Sequence, residues 1–263
     1  MKPIYTLDNT TPAFQLNWSV SLFGRGPFPR SCDCLEQLRT ATEADGVRIL
    51  ESRSTQSNVG QFLVSTRPRL APSQIVRSLK GRWQYLIRSE HPKAFRRNYF
   101  IGSVGEANCR VLDAYVAKQT SKHPMADPDV QGRLESLQFH DTSVDPVQVV
   151  TSNYGQFVHG LQVVMESEAG WNEVRPSVLA GSRAVIIRAA AKHDWRLSRI
   201  GLLSNHIHVL LGAGVTESPA EIALSLMNNL AYAQGMKPAF RFSYYVGTFG
   251  PYDRNAVRRM GRR

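Results

Sequence analysis

Cysteine is scarce, with 3 residues in a chain of 263. Cys32 and Cys34 are too close in sequence for an ordinary bridge, so the disulfide framework of a small secreted protein is excluded. Long apolar runs are also missing. The best stretch, Ala184 to Ala191, is interrupted by Arg188 and falls well short of the roughly 20 residues a membrane span needs. The opening Met1-Lys2-Pro3-Ile4-Tyr5 has no apolar signal segment, so secretion is not expected. No collagen-like composition is present. Negative charge is in deficit: 21 Asp and Glu stand against 32 Lys and Arg, for a net charge of +11 and a pI near 9.9. Hydrophobic residues make up 42%, enough for a real core and too many for wholesale disorder. A soluble, cytoplasmic protein with a polyanionic partner is expected, although a basic surface can also serve solubility alone.

What is present is an internal repeat. Ser57 to Ser65 (SNVGQFLVS) matches Ser204 to Gly212 (SNHIHVLLG) at an offset of 147, and Pro72 to Tyr85 matches Pro219 to Tyr232 at the same offset. Ala94 to Gly105 (AFRRNYFIGSVG) matches Ala239 to Gly250 (AFRFSYYVGTFG) at an offset of 145. The three windows hold 14 identities in 35 positions, several times the roughly one in twenty that composition supplies by chance. Repeats govern the fold wherever they occur. Two tandem copies of one unit are therefore expected, over 10–122 and 150–263. A linker over 123–149 carries Pro124, Asp127, Pro128 and Asp129, without clear apolar periodicity.

Both copies share one order of elements. An alternating strand comes first, at Phe14 to Leu22 and Gln156 to Val164. A helix follows, at Leu35 to Glu43 and Val178 to Lys192. Two strands come next, Val47 to Glu51 with Gly60 to Thr66, and Arg196 to Leu203 with His206 to Gly212. A helix starts after Pro72 and after Pro219, where Ser218-Pro219-Ala220-Glu221 reads as an N-cap, a first-turn proline and a capping-box Glu. Ile75, Leu79, Trp83 and Leu86 form one helical stripe, and Ile222, Leu226 and Leu230 another. A short strand, a glycine turn and a last helix close each copy. This alternation predicts the α+β class, antiparallel sheets with packed helices.

Chemistry-bearing residues divide unequally between the copies. Strand alternation puts His206 and His208 on one face and Ile207 and Val209 on the other. Two imidazoles so placed can hold one divalent metal, or can simply be a solvated or hydrogen-bonded pair. The first copy has Val59 and Gln61 at the matching positions. Its last helix instead carries Tyr115 and Gln119, four residues apart and hence one turn apart on one face. In the second copy Tyr115 maps onto Met260, and the counterpart of Gln119 falls at 264, past Arg263. Tyr115 and Gln119 could equally be ordinary surface residues of an amphipathic helix. Tyr232 is a rival nucleophile, but it aligns with Tyr85 beside an apolar stripe, which suggests packing. Cys32-Asp33-Cys34 lacks the second pair that a thiolate metal site needs.

The His-Ile-His run after Ser204-Asn205 resembles the His–hydrophobe–His motif of the HUH single-tyrosine transposases, insertion-sequence enzymes that cut and rejoin single-stranded DNA. Leu79-Lys80-Gly81-Arg82, Tyr99-Phe100-Ile101-Gly102-Ser103-Val104-Gly105 and Tyr115-Val116-Ala117-Lys118-Gln119 are similar to later motifs of that family. The resemblance implies ferredoxin-like HUH units that pair as homodimers, with the His pair of one subunit facing the tyrosine helix of the other. It also implies that the Gln one turn past the tyrosine is a third metal ligand. This chain departs from the family by carrying two copies, each with half a site. Folded as a monomeric pseudodimer it would hold one complete site, with Tyr115 catalytic and His206, His208 and Gln119 on Mg²⁺ or Mn²⁺. A second site with Val59, Gln61 and Met260 would be dead.

Such residues suit phosphodiester cleavage. A phenol, with a pKa of about 10, is a weak nucleophile, so positioning and charge stabilisation must do most of the work. Neutral nitrogen and oxygen ligands leave a metal its full charge for the phosphate. Attack by Tyr115 would give a 5′-phosphotyrosine intermediate. The alternative is a domesticated, non-cutting DNA-hairpin-binding or regulatory protein, and a relative that processes host repeats would look the same in sequence.

Basic residues cluster around the first copy's middle helix: Arg67, Arg69, Arg77, Lys80, Arg82 and Arg88. Arg77, Lys80 and Arg82 give way to Leu224, Met227 and Asn229 in the second copy. A solvated charged face is one explanation. The other is phosphate contact by the first copy alone, to hairpin-bearing single-stranded DNA as in the family. Arg254, Arg258, Arg259, Arg262 and Arg263 could add nonspecific attraction.

Overall fold

The computed structural model describes residues 2–28, 32–56, 58–168, 173–235 and 237–260; for 32, 33, 54–56 and 260 this is the backbone alone. The first elements are β1 (Thr11–Gln15), β2 (Asn17–Gly24), α1 (Cys32–Ala44), β3 (Val47–Gln56), β4 (Val59–Thr66), α2 (Pro72–Ile87) and β5 (Phe95–Val104). They are followed by α3 (Cys109–Ala117), α4 (Gln119–Lys122), α5 (Pro128–Ser136) and β6 (Phe139–His140). The remainder runs β7 (Val150–Ser152), β8 (Gly155–Val158), β9 (Gly160–Glu166), α6 (Pro176–Lys192), β10 (Arg196–Leu202), β11 (His206–Gly212), α7 (Pro219–Ala233), β12 (Ser243–Phe249) and α8 (Arg254–Met260).

The strands form two six-stranded sheets, ordered β3-β4-β2-β5-β8-β7 and β6-β10-β11-β9-β12-β1. Four strands of each are antiparallel and occupy matching places: β3-β4-β2-β5 in the first sheet, β10-β11-β9-β12 in the second. One expectation is corrected here. The sheets are mixed, because β1 lies parallel to β12 and β8 lies parallel to β5.

Those parallel strands come from the opposite half of the chain, which corrects a second expectation. Phe14 to Leu22 is not one strand in one sheet. The chain leaves the second sheet at the end of β1, passes Leu16 and enters the first sheet as β2. Likewise β8 belongs to the first sheet, and the chain crosses at His159 to enter the second as β9. Each half thus finishes the edge of the other's sheet, where unpaired backbone N–H and C=O groups would otherwise stand open.

Further contacts cross between the halves in matching pairs. The Ser73 N–H donates to the Val215 carbonyl and the Ala220 N–H to the Pro68 carbonyl, both at 2.9 Å. The Cys109 N–H donates to the Gly250 carbonyl at 2.9 Å and the Arg254 N–H to the Gly105 carbonyl at 2.8 Å. The Ser103 hydroxyl donates to the Phe249 carbonyl, and the Thr248 hydroxyl to the Val104 carbonyl.

Each sheet has its own core against a helix pair. In the first, Trp18, Val20, Leu22, Val64 and Ile101 pack with Ile75, Leu79 and Trp83 of α2. In the second, Val163, Met165, Ile200, Ile207 and Val209 pack with Ile186 of α6 and Ile222, Leu226 and Leu230 of α7. Helix α7 begins as its sequence predicts: the Ser218 hydroxyl accepts from the Glu221 N–H, the Glu221 carboxylate accepts from the Ser218 N–H, and Pro219 needs no donor in the first turn. The interval 123–149, expected as a linker without clear apolar periodicity, contains α5. Asp127 caps that helix by accepting from the Asp129 N–H, Pro128 opens it, and Leu134 buries into the second core. Short β6 then adds to β10.

His159, at the second crossing, is fully buried. Its Nδ1 lies 2.7 Å from the Gly214 carbonyl, its Nε2 has no hydrogen-bond partner, and its ring meets Trp18 edge-on. Burial depresses its pKa to about 4, so the folded protein holds a neutral imidazole. The unfolded chain takes up a proton below about pH 6.5 while the folded chain resists until about 4. This contribution is therefore complete above pH 6.5 and lost as pH falls to 4, by about 3 kcal/mol at most. Denaturant melts at pH 7 and pH 4.5 should show that loss, and His159→Gln should lessen the difference.

Candidate functional site

Helix α3 begins where the Asn108 side chain accepts from the Val111 N–H. The helix then lies on the second sheet, on the face opposite α6 and α7, and buries Val116 with Leu210 and Phe249. That approach depends on Gly201 of β10. A Cβ there would come 2.6 Å from Val116 Cγ1 and 3.4 Å from His208 Cβ. Asp113 receives a bidentate hydrogen bond from Arg199 of β10, at 2.5 and 2.9 Å. His140 stands 3.8 Å from the same carboxylate.

This docking brings the two chemical halves together. Ile207 and Val209 point into the core, which leaves His206 and His208 on the face under α3. The rings of His206 and His208 are 4.9 Å apart between centroids. The Tyr115 ring stands edge-on to His208, with centroids 5.9 Å apart and planes at 84°. Tyr115 is 42% exposed, so its ring is open to a substrate. Tyr232, expected to pack, is instead 59% exposed on α7, as Tyr85 is on α2. Neither takes part in the ring contacts around the imidazoles.

Gln119 opens α4, after a break in the helix at Lys118, and is buried. Its amide nitrogen donates to the Tyr115 carbonyl at 3.1 Å. Two neighbours, at the end of α4 and just past it, escaped the sequence reading. His123 meets His206 edge-on at 5.8 Å between centroids, and the Lys122 ammonium stands 5.1 Å from the Tyr115 ring centre. The signal for His123 was available, since Tyr115, Gln119 and His123 are spaced by four and so recur on one helix face.

The imidazoles are neutral at physiological pH. Burial, with His206 and His123 adding to it, pushes His208 down to about 3, and burial also lowers His206. The Asn205 side-chain oxygen lies 2.7 Å from His206 Nδ1, so Nδ1–H donates to it and Nε2 keeps its lone pair. His208 Nδ1 lies 3.3 Å from the Gln162 amide, and its buried Nε2 has no partner. An orphaned buried nitrogen of this kind fits a metal ligand. Among the described residues, however, no three His, Cys, Asp or Glu side chains are grouped to hold a metal ion. A cation here would rest on the two imidazoles, while the hydrogen bond of the Gln119 side chain runs to the Tyr115 carbonyl.

The matching face of the first sheet differs. A cavity of about 440 Å³ opens there, lined by Gln61, Phe100, Tyr252, Val257 and Arg258 among others, with no histidine in its lining. The Met260 side chain lies outside the described residues.

The basic residues around α2 are not one uniform patch. Arg77 and Arg88 are exposed, and Arg88 stacks on Tyr85 at 4.1 Å. Arg82 is held by Asp45 at 2.7 and 3.0 Å, and this guanidinium keeps the Asp45 carboxyl below its usual pKa. Lys80 donates to the Arg96 and Arg97 carbonyls, and burial lowers its pKa. Arg67 and Arg69 precede the helix, and Arg69 donates to the Leu7 carbonyl. On α7 the corresponding Leu224 and Met227 are buried. Asn228 beside them accepts from the Ile4 and Tyr5 N–H groups and so ties the N-terminal segment to that helix. Arg254 and Arg258 are engaged by Glu106 and Glu51, and Arg262 and Arg263 lie outside the described residues. Among the described residues no helix is long and apolar enough to cross a membrane.

An α+β chain with a tyrosine helix laid over a His-x-His strand is the class this fold and site define. Residues 31–119 match the family described as "Transposase IS200 like". The resemblance to single-tyrosine transposases therefore holds over that segment, which includes Tyr115 and Gln119, and the match supports a transposase-type, DNA-directed function. No curated protein matches the chain. Among solved structures, a proposed transposase from Deinococcus radiodurans is 16% identical, covering 41% of this chain and 92% of its own, with a TM-score of 0.32. A REP-associated tyrosine transposase bound to a REP hairpin is 10% identical, covering 39% of this chain and 61% of its own, with a TM-score of 0.32.

Replacing Gly201 by Ala should cost about 1–3 kcal/mol, because the buried, β-branched Val116 cannot turn aside cheaply. Gly81→Ala, where an added Cβ meets nothing within 4 Å, should be neutral or stabilising by up to about 1 kcal/mol. Thermal melts of the two variants check both.

Proposed function

We propose that the chain is a metal-dependent single-stranded DNA endonuclease and strand transferase of transposase type. In this reading residues 10–122 and 150–263 are two ferredoxin-like HUH units, joined through 123–149 and folded back as a monomeric pseudodimer. The observation that carries it is the edge-on contact of Tyr115 with His208, made between residues from opposite halves of the chain.

The reaction follows from these side chains. His206 and His208 would hold a divalent cation, Mg²⁺ or Mn²⁺, through neutral imidazole nitrogens, with Gln119 as the third ligand. Such a cation would supply Lewis-acid polarisation of the scissile phosphate. The Tyr115 oxygen attacks phosphorus in line, the O–P bond forms and the P–O3′ bond breaks. The phenolic proton is released, and the departing 3′-oxygen ends as a hydroxyl. The 5′-phosphate stays on Tyr115, so a later 3′-hydroxyl can reverse the step and rejoin the strands. Lys122, beside the tyrosine ring, offsets phosphate charge. The face with Val59 and Gln61 lacks the imidazoles and does not cut.

DNA binding is asymmetric in this reading. Arg77 and Arg88 on the open face of α2, with Arg67, Arg69, Lys80 and Arg82 nearby, contact the phosphates of a hairpin. The N-terminal segment occupies the equivalent place on α7. The Gln119 amide nitrogen, which donates to the Tyr115 carbonyl of its own segment, favours a second reading, a hairpin binder that no longer cuts.

Hairpin-bearing single strands with Mn²⁺ should yield a covalent protein–DNA adduct that resists denaturation. Tyr115→Phe should abolish the adduct and Tyr232→Phe should not. A wild-type protein that binds hairpins but forms no adduct would leave only the second reading. Arg77→Glu with Arg88→Glu should weaken hairpin binding roughly tenfold or more and reduce its salt dependence, whereas Asn229→Glu should change little.

A further inference from the structure

Tyr115 reaches the histidines only if α3 docks on the second sheet rather than on the first, from which its own strand β5 emerges. Two ion pairs stand where this choice is made. Arg199 of β10 lies opposite Leu210 in the ladder, just after a register shift that follows Leu197. Glu51 of β3 lies opposite Leu63, just after a register shift that follows Ile49. Leu63 and Leu210 are related by the repeat offset of 147, so Glu51 and Arg199 hold equivalent positions in the two sheets. On the helices, Asp113 and Arg258 are related by the offset of 145, each five residues past a capping Asn108 or Asp253.

The charges at these equivalent positions are reversed. Asp113 of α3 pairs with Arg199, whose side chain is only 11% exposed. Arg258 of α8 pairs with Glu51, and Arg53 braces that pair by donating to the Glu51 carboxylate and the Arg258 carbonyl. Were α3 to occupy the place of α8, Asp113 would face Glu51. Were α8 to occupy the place of α3, Arg258 would face Arg199. Both exchanges bring like charges together in half-buried surroundings, where screening by water is incomplete.

We propose that Asp113, Arg199, Glu51 and Arg258 are positioning residues: a charge-reversed pair of contacts that assigns the tyrosine helix to the histidine-bearing sheet and keeps the other helix off it. The two halves share a backbone plan, so apolar packing alone discriminates weakly between docking places, and unpaired charge supplies the discrimination. The inference rests on the reading of Tyr115 and the histidines as one site, but its structural part is measurable without chemistry.

The test uses the full chain and two readouts. One is the ¹H–¹³C NMR signal of the His208 ring in the metal-free protein, which the edge-on Tyr115 ring shifts. The other is the single-turnover rate of adduct formation at saturating hairpin DNA with Mn²⁺, measured beside hairpin affinity. Arg199→Glu should move the His208 signal and slow the adduct on the order of 10- to 100-fold, while hairpin affinity changes less than about threefold. Arg199→Glu with Glu51→Arg, which exchanges the strand charges, should be at least as damaging. Adding Asp113→Arg and Arg258→Glu to that variant re-pairs all four charges and should restore the signal and bring the rate within about threefold of wild type. The proposal is overturned if the strand exchange leaves the His208 signal in place, or if the four-residue exchange folds and restores neither readout. If the four-residue variant does not fold, Asp113→Arg with Arg199→Glu leaves both helices with Arg and both strands with Glu, so charge no longer discriminates: the His208 signal should weaken or split, and an unchanged wild-type signal overturns the proposal. A restored signal in a protein that never forms an adduct would support the assignment of the helix and reject the nuclease reading instead.

Discussion

Two strands change sheets halfway along their length, and the remaining architecture follows from that constraint. Leu16 and His159 are the points of passage, and both are buried. Once β1 and β8 complete each other's sheet edges, the halves can no longer separate without exposing two rows of backbone donors and acceptors. The paired carbonyl contacts at Gly105, Gly250, Pro68 and Val215 then fall into place at the junction. The glycine turns at the ends of β5 and β12 therefore sit against the opposite half, and each sends its following helix away from its parent sheet.

The candidate site inherits its character from this crossing. A tyrosine helix leaving β5 lands on β10 and β11, so the phenol and the imidazoles meet although more than ninety residues separate Tyr115 from His208. The same landing buries His208 between helix and sheet, keeps it neutral and leaves one of its nitrogens without a partner. Burial of polar groups is costly when nothing satisfies them. The protein bears that cost at His208; at the matching place on the other sheet, Gln61 borders an open cavity.

Asymmetry runs through the outer helices as well. Tyr5 bonds with the Phe240 backbone, and its neighbours are tied by Asn228, so the N-terminal segment lies along α7 and apolar Leu224 and Met227 suit that covered face. Among the described residues no segment is tied in this way to the corresponding face of α2, where Arg77, Tyr85 and Arg88 stand in solvent. One backbone plan thus presents a basic surface on one side and a sealed one on the other.

Much of this was legible in the residues themselves. The repeat, the α+β class, the capping box at Ser218 and the placement of both histidines on one strand face all follow from local rules: offsets, strand alternation and the orphan donors of a helix start. These rules act over a few residues and need no knowledge of what lies across the fold. The parallel edge strands, the exposure of Tyr232, the helix within 123–149 and the pairing of Asp113 with Arg199 were not legible. Each depends on which surfaces meet at distances in sequence where periodicity carries no information. Sequence by itself determined that one half held a tyrosine helix and the other a histidine pair. Only the tertiary structure decided that they face each other, because that requires a strand to leave its own sheet and a helix to follow it across.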